Sequence, residues 1–253
     1  MSKQPAIGVR APSYISRFTS QYALRNFRVR LVTKIGGSLF KDGLNHQKIS
    51  AYAQVLREIR RQGHQIVVVA GGGEIARKYI ESARSLGASE AQCDQMGIYV
   101  TRLNARLLIS ALNDDAFPEV PETVEELRKY FAMEKIVAMG GLTPAHSTDA
   151  VAAIVAESIK ADMFVKTIDA PGVCTEDPKK HPGAKKLDEI SVGKLLEMLQ
   201  EKSLVAGSYE LIDPVAVRVI ERSKIPTWIV PGDDPANIRR ALDGENVGTK
   251  VIP

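Results

Sequence analysis

The sequence predicts an α/β fold in which a mainly parallel sheet is covered by helices on both faces. Short β-branched runs alternate with segments whose apolar residues recur at helical spacing, which is typical of parallel sheets. Three predicted strands run directly into glycine-rich turns at residues 36–38, 71–73 and 140–141. Because the carboxyl ends of parallel strands share one edge of the sheet, we expect these turns to meet there and to form the ligand site.

The predicted elements alternate from residue 29 to the end of the chain. Predicted strands cover residues 29–35, 67–70, 136–139, 163–168, 226–230 and 249–252. One predicted helix directly follows the second glycine turn. The other predicted helices cover residues 47–61, 94–112, 120–131, 150–159, 191–201, 213–223 and 235–242. Pro121 is expected in the first turn of its helix. No linker or internal repeat interrupts this order, so residues 29–253 are expected to form a single domain with two lobes.

The composition fits one large α/β domain or two small ones. The chain has 253 residues, of which 44% are hydrophobic, enough to bury a sizeable core. No apolar run reaches the length of a membrane span, so a soluble protein is expected. Cys93 and Cys174 lie far apart, and neither the cysteines nor the four histidines show the spacing of metal ligands. We therefore expect no disulfide and no metal site formed by the protein, which favours a reducing compartment.

The positive charge is concentrated at the amino-terminal end. Residues 1–41 contain eight Lys and Arg residues and no Asp or Glu. Because the whole chain carries +4, the remaining residues carry −4, and a nucleic-acid-binding surface over the domain is not predicted. Leaders rich in Arg and Ser include organelle transit peptides, but no clear cleavage signal follows this one. Residues 1–28 are therefore expected to be an N-terminal extension, either a tail or a surface segment.

The turn at residues 71–73 joins a β-branched run to a helix that carries Arg77. Glycines let backbone N–H groups approach a ligand closely, and the N-terminus of a helix favours negative charge. Arg77 can add a bidentate contact to a phosphate. The alternative is a tight turn that needs glycine for steric reasons alone. Three consecutive glycines together with an arginine favour an anion-binding site.

Several anion-binding turns at one sheet edge suit a reaction between phosphate-bearing molecules. Phosphoryl transfer requires positioning and positive charge, which Lys34 and Arg77 can supply, while Asp149 can orient Lys34 or a magnesium-bound water. The P-loop motif and the motif set of protein kinases are absent from the sequence. Each polar residue also has a structural alternative. These alternatives are a surface lysine at Lys34, helix caps at Asp94, Ser147, Thr148 and Asp149, and a loop histidine at His146.

Five segments, in this order, resemble the archaeal-type UMP kinases of the amino acid kinase superfamily. The resemblance covers residues 29–253, and several motifs in order are far more specific than any one of them. The segments are Lys34-Ile-Gly-Gly-Ser38, Gly71-Gly-Gly-Glu-Ile-Ala-Arg-Lys-Tyr-Ile80, residues 94–105 beginning Asp94-Gln-Met-Gly-Ile98, Thr143-Pro-Ala-His-Ser-Thr-Asp149 with the helix after it, and Ser208-Tyr-Glu-Leu-Ile-Asp-Pro214.

The resemblance implies an amino acid kinase fold, a three-layer αβα sandwich around a mainly parallel sheet. It implies an N-terminal lobe that binds the phosphate acceptor and a C-terminal lobe that binds the nucleotide. The activity it implies is transfer of the γ-phosphoryl group of ATP to UMP, with Mg²⁺ bound through the nucleotide phosphates. It also implies a homo-hexamer in the cytoplasm that acts in pyrimidine nucleotide synthesis, without a nucleic-acid or membrane partner.

Site residues follow from the resemblance position by position. Lys34, Asp149 and Arg77 would be catalytic. The ATP site would comprise Gly37, Ser38, Gly73, Arg77, Ile168, Asp169, Cys174 and Asp177. The UMP site would comprise Gly72, Asp94, Leu142, Thr143, Pro144, Ala145, His146, Ser147 and Thr148. The 142–148 loop would offer backbone donors and hydroxyls to the UMP phosphate, and Asp94 would accept hydrogen bonds from the ribose.

The chain departs from these relatives in the predicted nucleotide loop. Relatives usually read Thr-Asn-Val-Asp-Gly-Val-Tyr where this chain has Asp169, Pro171 and Cys174 in place of the Asn, the Asp and the Tyr. Two alternatives therefore stay open. One is another kinase of the superfamily with a small phosphate acceptor, although the histidine usual in isopentenyl phosphate kinases is absent near Arg77. The other is a non-catalytic, ATP-binding storage protein similar to molybdate/tungstate storage proteins.

Overall fold

The fold is known from a computed structural model, which describes residues 28–36, 39–40, 44–202 and 211–253. Within these residues, seven strands form one sheet. The strands are β1 (Arg30–Ile35), β2 (Gln65–Ala70), β3 (Val137–Met139), β4 (Met163–Ile168), β5 (Glu189–Ser191), β6 (Thr227–Pro231) and β7 (Thr249–Ile252).

The described helices are eight α-helices and one short 3₁₀ helix, Asn113–Asp115. The α-helices are α1 (His46–Arg61), α2 (Gly73–Ser85), α3 (Glu90–Leu112), α4 (Val124–Phe131), α5 (Thr148–Ser158), α6 (Val192–Lys202), α7 (Pro214–Ser223) and α8 (Ala236–Leu242). Among the described helices, none combines the length and the apolar character needed to cross a membrane.

The sheet has the order β3-β2-β1-β4-β6-β7-β5. Strands β3, β2, β1, β4 and β6 are parallel, β7 is antiparallel to β6, and β5 is parallel to β7. The predicted mainly parallel sheet is therefore confirmed. The parallel arrangement also brings the ends of β1, β2, β3 and β4 to the same edge, as the positions of the glycine turns required.

Helices cover both faces of the sheet, and each face has its own apolar core. In β2, Val67 and Val69 enter one core while Ile66 and Val68 enter the other, as the two-residue repeat of a strand requires. The first core joins the sheet to α5, α6 and α7, and the second joins it to α1, α3 and α8. The predicted α/β class and the three-layer αβα sandwich are confirmed.

Two helices begin four residues away from their predicted starts, and local hydrogen bonds explain both differences. Helix α3 begins at Glu90, because Ser89 and Gln92 form a capping box. Helix α4 begins at Val124, because the Thr123 side chain accepts from the N–H of Glu126. Pro121 therefore precedes α4, so its expected place in the first turn was wrong. The short strand β5 at the sheet edge was not predicted, because its three residues include only one buried position and are too few to establish a repeat.

Several predictions concern residues outside the described part of the chain. These are the extension at 1–28 apart from Arg28, the ATP contacts of Gly37 and Ser38, and the segment Ser208–Glu210 of the fifth motif.

Candidate active site

Three glycine turns meet at the carboxyl edge of the sheet. The turns follow β1 at Gly36, β2 at residues 71–73 and β3 at residues 140–141. The loop that follows β4 starts at the same edge, since β4 is parallel to β1. The edge therefore gathers backbone N–H groups, two helix N-termini and the side chains at the strand ends, which is an arrangement suited to anions.

A buried ionic cluster lies beside these turns. Lys34 on β1 and Lys166 on β4 both reach Asp149 in the first turn of α5. The Lys34 Nζ is 3.0 Å from Asp149 Oδ1, and the Lys166 ammonium donates a hydrogen bond to Asp149 Oδ2. Lys34 is 7% exposed, Lys166 4% and Asp149 8%. The structure thus brings Lys34 and Asp149 together, and it excludes the alternative of a surface lysine at Lys34.

The electrostatics of the cluster keep Asp149 ionised. Burial by itself raises the pKa of Asp149, but the ammonium groups of Lys166 and Lys34 outweigh burial and hold that pKa well below its usual range. A carboxylate in this state accepts hydrogen bonds and fixes the positions of two cations. It is not available as a general acid at neutral pH.

Helix α7 is attached to the same cluster through its N-cap, Asp213. The backbone N–H of Asp213 donates to Asp149 Oδ2 at 3.2 Å, and the Ser147 hydroxyl donates to the Asp213 carboxylate. Asp213 also caps α7 by accepting from the N–H of Val215. Ser147 is the N-cap of α5, accepting from the N–H of Ala150, so its predicted alternative as a cap is correct. The starts of α5 and α7 are therefore held together.

The loop that precedes α5 contains the predicted acceptor residues. The N–H of Ala145 donates a 2.8 Å hydrogen bond to Asp94 Oδ2. Because α3 begins at Glu90 with Ser89 as its N-cap, Asp94 lies one turn inside the helix, and its predicted alternative as a helix cap was wrong. Ala145 has φ of 62°, a conformation that costs free energy in a residue other than glycine. Thr143 Oγ1 and His146 Nδ1 are 2.8 Å apart, within hydrogen-bond distance. The loop is largely exposed, so its remaining hydroxyls and N–H groups are accessible to a ligand.

Side chains of helix α3 form hydrogen bonds with the backbone of two glycine turns. Asn104 donates to the carbonyl of Gly71 at 2.8 Å, and the N–H of Gly141 donates to Thr101 Oγ1 at 2.7 Å. Arg102 donates from Nε to the carbonyl of Gly141 at 3.1 Å. The Arg102 guanidinium also forms an ion pair with Glu122. The side chains of the 101–105 motif therefore hold backbone carbonyl and N–H groups in fixed positions.

The second glycine turn places Arg77 on the exposed side of α2. Gly73 has φ of 65°, and a Cβ at this position would lie 2.5 Å from the carbonyl oxygen of Phe40. This close approach and the positive φ both require glycine. Gly72 is the N-cap of α2, and no side chain at this position accepts a hydrogen bond from the first N–H groups of the helix. Arg77 is exposed in the first two turns of the helix, so its guanidinium is accessible to a ligand.

The predicted nucleotide loop after β4 holds its residues in different environments. Ile168 is part of the core, and Cys174 is buried with its Sγ 3.7 Å from the carbonyl of Gly172. Asp169 forms an exposed ion pair with Lys179 at 2.7 Å. Asp177 accepts from the N–H of Lys179 and so closes the turn. Of the four predicted ATP contacts in this loop, Asp169 and Asp177 present polar atoms near the surface, whereas Ile168 and Cys174 are buried.

A separate cavity lies at the opposite edge of the sheet. Its volume is about 1020 Å³, and its walls include Met163, Pro226 and Trp228 at the amino ends of β4 and β6. The glycine turns and the ionic cluster lie at the carboxyl ends of the strands. The cavity is therefore not part of the candidate active site.

The sequence-based prediction missed four residues of the site: Lys166, Arg102, Thr101 and Asn104. A lysine in the middle of the apolar run 163–168 was the available signal for Lys166, since a buried lysine needs a partner. The residues of α3 belonged to a recognised motif but had no assigned role. Within the described residues, no group of three or more His, Cys, Asp or Glu side chains is placed to hold a metal ion.

The fold and the site define an α/β protein with glycine turns gathered beside a buried lysine–carboxylate cluster. The chain belongs to the Amino acid kinase family, whose sequence model matches residues 29–231. The resemblance noted from the motifs is therefore confirmed at the level of the family.

The relatives and solved structures similar to this chain include archaeal uridylate kinases. The chain is 50% identical over 225 residues to the uridylate kinase of Methanothermobacter thermautotrophicus, covering 89% of this chain and 100% of that relative. It is 41% identical over 225 residues to the uridylate kinase of Natronomonas pharaonis, covering 89% of this chain and 99% of that relative. The crystal structure of uridylate kinase from Archaeoglobus fulgidus has a TM-score of 0.80 and 42% identity, covering 88% of this chain and 99% of that one.

Proposed function

We propose that this protein is a UMP kinase, which transfers the γ-phosphoryl group of ATP to UMP and releases UDP and ADP. The observation that carries the proposal is the Lys34–Asp149 pair, buried at an edge where three glycine turns meet. Support for UMP as the acceptor comes from the named uridylate kinases, which this chain matches over nearly their whole length.

The chemistry needs positive charge more than it needs a base. An oxygen of the UMP phosphate, already ionised at neutral pH, forms a bond to the γ-phosphorus of ATP. The bond from that phosphorus to the β,γ-bridging oxygen breaks, and ADP leaves with the electron pair. Lys34 and Arg77 stabilise the charge on the transferring group, while Asp149 orients Lys34. No proton has to be removed, which agrees with an Asp149 that is kept ionised and paired.

The acceptor site is proposed at the loop before α5 and at the second glycine turn. Asp94 uses one carboxylate oxygen for Ala145, and the other oxygen is available to a ribose hydroxyl. The N-terminus of α5 favours the UMP phosphate. The residues proposed to contact UMP are Gly72, Asp94, Leu142, Thr143, Pro144, Ala145, His146, Ser147 and Thr148.

The ATP site is proposed at the first two glycine turns and the loop after β4. Magnesium enters this proposal as part of the ATP substrate, because both oxygens of Asp149 are engaged by lysines and no protein cluster in the described residues fits the ion. Cys174 is buried, so it offers the adenine only a small contact surface. The residues proposed to contact ATP are Gly37, Ser38, Gly73, Arg77, Ile168, Asp169, Cys174 and Asp177.

The assembly is proposed to be a homo-oligomer, a hexamer, in the cytoplasm. Helix α3 carries an apolar stripe at Met96, Tyr99 and Leu103, which are 40%, 56% and 61% exposed. Residues three and four positions apart share a helix face, so the stripe is continuous and suits contact with a second copy. Residues 29–253 form one domain in this proposal, with an acceptor lobe and a nucleotide lobe. The pathway is pyrimidine nucleotide synthesis, which uses UDP.

An acceptor panel tests the proposal. ADP release is measured with UMP, CMP, isopentenyl phosphate and no acceptor, at equal MgATP. We expect release to depend on UMP and to be much slower with the other acceptors. ATP binding without release under any condition would instead indicate a storage protein, which no observation of this structure favours. Release that depends on another acceptor would assign the chain to a different kinase of the family.

A further inference from the structure

Lys34 and Lys166 are direct neighbours on adjacent parallel strands. They are register partners in the pairing of β1 with β4, so their side chains lie on the same face of the sheet. Both are buried, and both end at the carboxylate of Asp149. Two buried ammonium groups at this spacing repel each other, and the shared carboxylate offsets that repulsion.

The charges of this cluster do not balance. Two buried lysines and one buried, ionised aspartate leave a surplus of one positive charge in a site with little access to water, since the Asp213 carboxylate is only partly buried and accepts from Ser147 and Val215 instead. A surplus charge of this kind is stabilised when an anion binds beside it, and it is costly when the site is empty. If only Lys34 and Asp149 were present, the pair would be neutral and Lys34 would have less attraction for a phosphoryl group.

We propose that Lys166 is a positioning residue that neutralises Asp149, so that the charge of Lys34 remains available to the transferring phosphoryl group. Lys166 acts through Asp149 and need not touch the substrates. This inference rests on the proposed kinase function. The alternative role for Lys166 is that of a purely structural ion-pair partner, which would stabilise the fold whatever the net charge of the cluster.

Charge-changing variants separate these two roles. Lys166→Met keeps most of the length of the side chain and leaves the cluster neutral, whereas Lys166→Met combined with Asp149→Asn returns the net charge to +1. We expect Lys166→Met to lower kcat by about 100-fold with a smaller change in the KM for UMP. We expect the double variant to regain at least about 10-fold of this loss, since an electrostatic donor is worth about that much or more.

A matched control and a pH profile complete the test. Lys250→Met removes a lysine from β7, where it pairs with Glu189, and should keep the wild-type kcat. The groups that face Asp149 are Lys34, Lys166 and the start of α7 at Asp213. Loss of Lys166 removes a cation from a buried carboxylate and so raises the pKa of Asp149. Protonation of Asp149 returns the net charge of the cluster to +1, as in the double variant, so the kcat/KM of Lys166→Met relative to the wild type should rise as the pH falls. A purely structural ion pair would lower stability without this relative rise.

The outcomes are distinguishable from failure of the proposed function. An unchanged kcat in Lys166→Met, or a double variant no faster than Lys166→Met, would overturn the inference. If the wild-type protein shows no UMP-dependent ADP release, the kinase proposal fails. The inference is then tested by calorimetric titration with inorganic pyrophosphate. The inference predicts binding at least about 10-fold weaker in Lys166→Met and recovery in the double variant. Equal affinities in all three proteins would contradict it.

Discussion

The N–H of Ala145 donates a 2.8 Å hydrogen bond to Asp94, which fixes the loop before α5 to the start of α3. Ala145 has a positive φ, so this contact holds a strained backbone in place at the proposed acceptor site. The same carboxylate has a second oxygen that is available to the substrate. A single side chain therefore has two roles there, one in the loop and one proposed for the ribose.

Asp94→Asn should weaken UMP binding by about 1.5–3 kcal/mol, because a charged hydrogen-bond acceptor is lost. ATP binding should be nearly unchanged, since the proposed ATP residues lie elsewhere. Isothermal titration with each nucleotide measures both effects. The matched control is Asp114→Asn, an exposed aspartate in the 3₁₀ helix after α3. A parallel loss of ATP affinity would show that Asp94 acts only through the structure of the loop.

Acid should destabilise the protein in a range set by Asp149. The pKa of this group is depressed in the folded state, so its contribution is complete above the unfolded pKa of about 3.9. That contribution is lost as the pH falls from there toward the lower folded pKa. Urea unfolding at pH 7, 5 and 3.5 should give a free energy of unfolding that drops steeply only in the last interval.

Asp149→Asn should be less stable than the wild type by about 3–5 kcal/mol at pH 7, because two buried lysines lose their counter-charge. In the same urea experiment, the free energy of unfolding of this variant should fall less between pH 5 and 3.5 than that of the wild type. If this variant does not fold, the combination with Lys166→Met supplies the comparison, since it leaves one lysine. A wild-type slope in the substituted protein would show that other carboxylates control the acid transition.

Gly140→Ala should destabilise the protein by about 1–3 kcal/mol, as overpacking does. A Cβ at this position would lie 2.6 Å from both the backbone nitrogen of Arg102 and the hydroxyl of Thr101. The control is Gly193→Ala in α6, where a Cβ meets no neighbour within 4 Å and where alanine favours the helix. Thermal unfolding of both variants measures the difference. Equal melting temperatures would contradict the close packing of α3 against the third glycine turn.

Removal of residues 1–27 should leave UMP kinase activity intact, because every matched motif and the family match lie at or beyond residue 29. Size-exclusion chromatography and the rate of ADP release of the shortened protein provide the measurement. An insoluble or dissociated product would show that the extension belongs to the fold or to an interface.

The sheet and its edge could be predicted from the sequence because local patterns determine them. Strand β4 was predicted with its observed bounds, and the three glycine turns do lie at the carboxyl edge. The short strand β5 could not be predicted, because three residues are too few to distinguish a strand repeat from chance. The start of α3 depended on the capping box of Ser89, which lies outside its apolar repeat.

The ionic cluster could be predicted only in part. Lys34 and Asp149 stand beside glycine turns, and this position suggested their chemistry. Lys166 lies 132 residues after Lys34, and only the register of β1 with β4 places the two side chains together. Strand order and register are tertiary properties that no single segment encodes. The same limit applies to the contact between Asp94 and the loop before α5.

Turnover by Lys34→Met tests the central claim most directly. This variant leaves Asp149 paired with Lys166, so the buried charges balance and the fold should be retained. If Lys34 stabilises the transferring phosphoryl group, kcat with UMP and MgATP should fall by about 100-fold or more, with a much smaller change in the KM for UMP. Lys250→Met should turn over at the wild-type rate. An unchanged kcat in folded Lys34→Met would contradict the assignment of this cluster as the site of phosphoryl transfer.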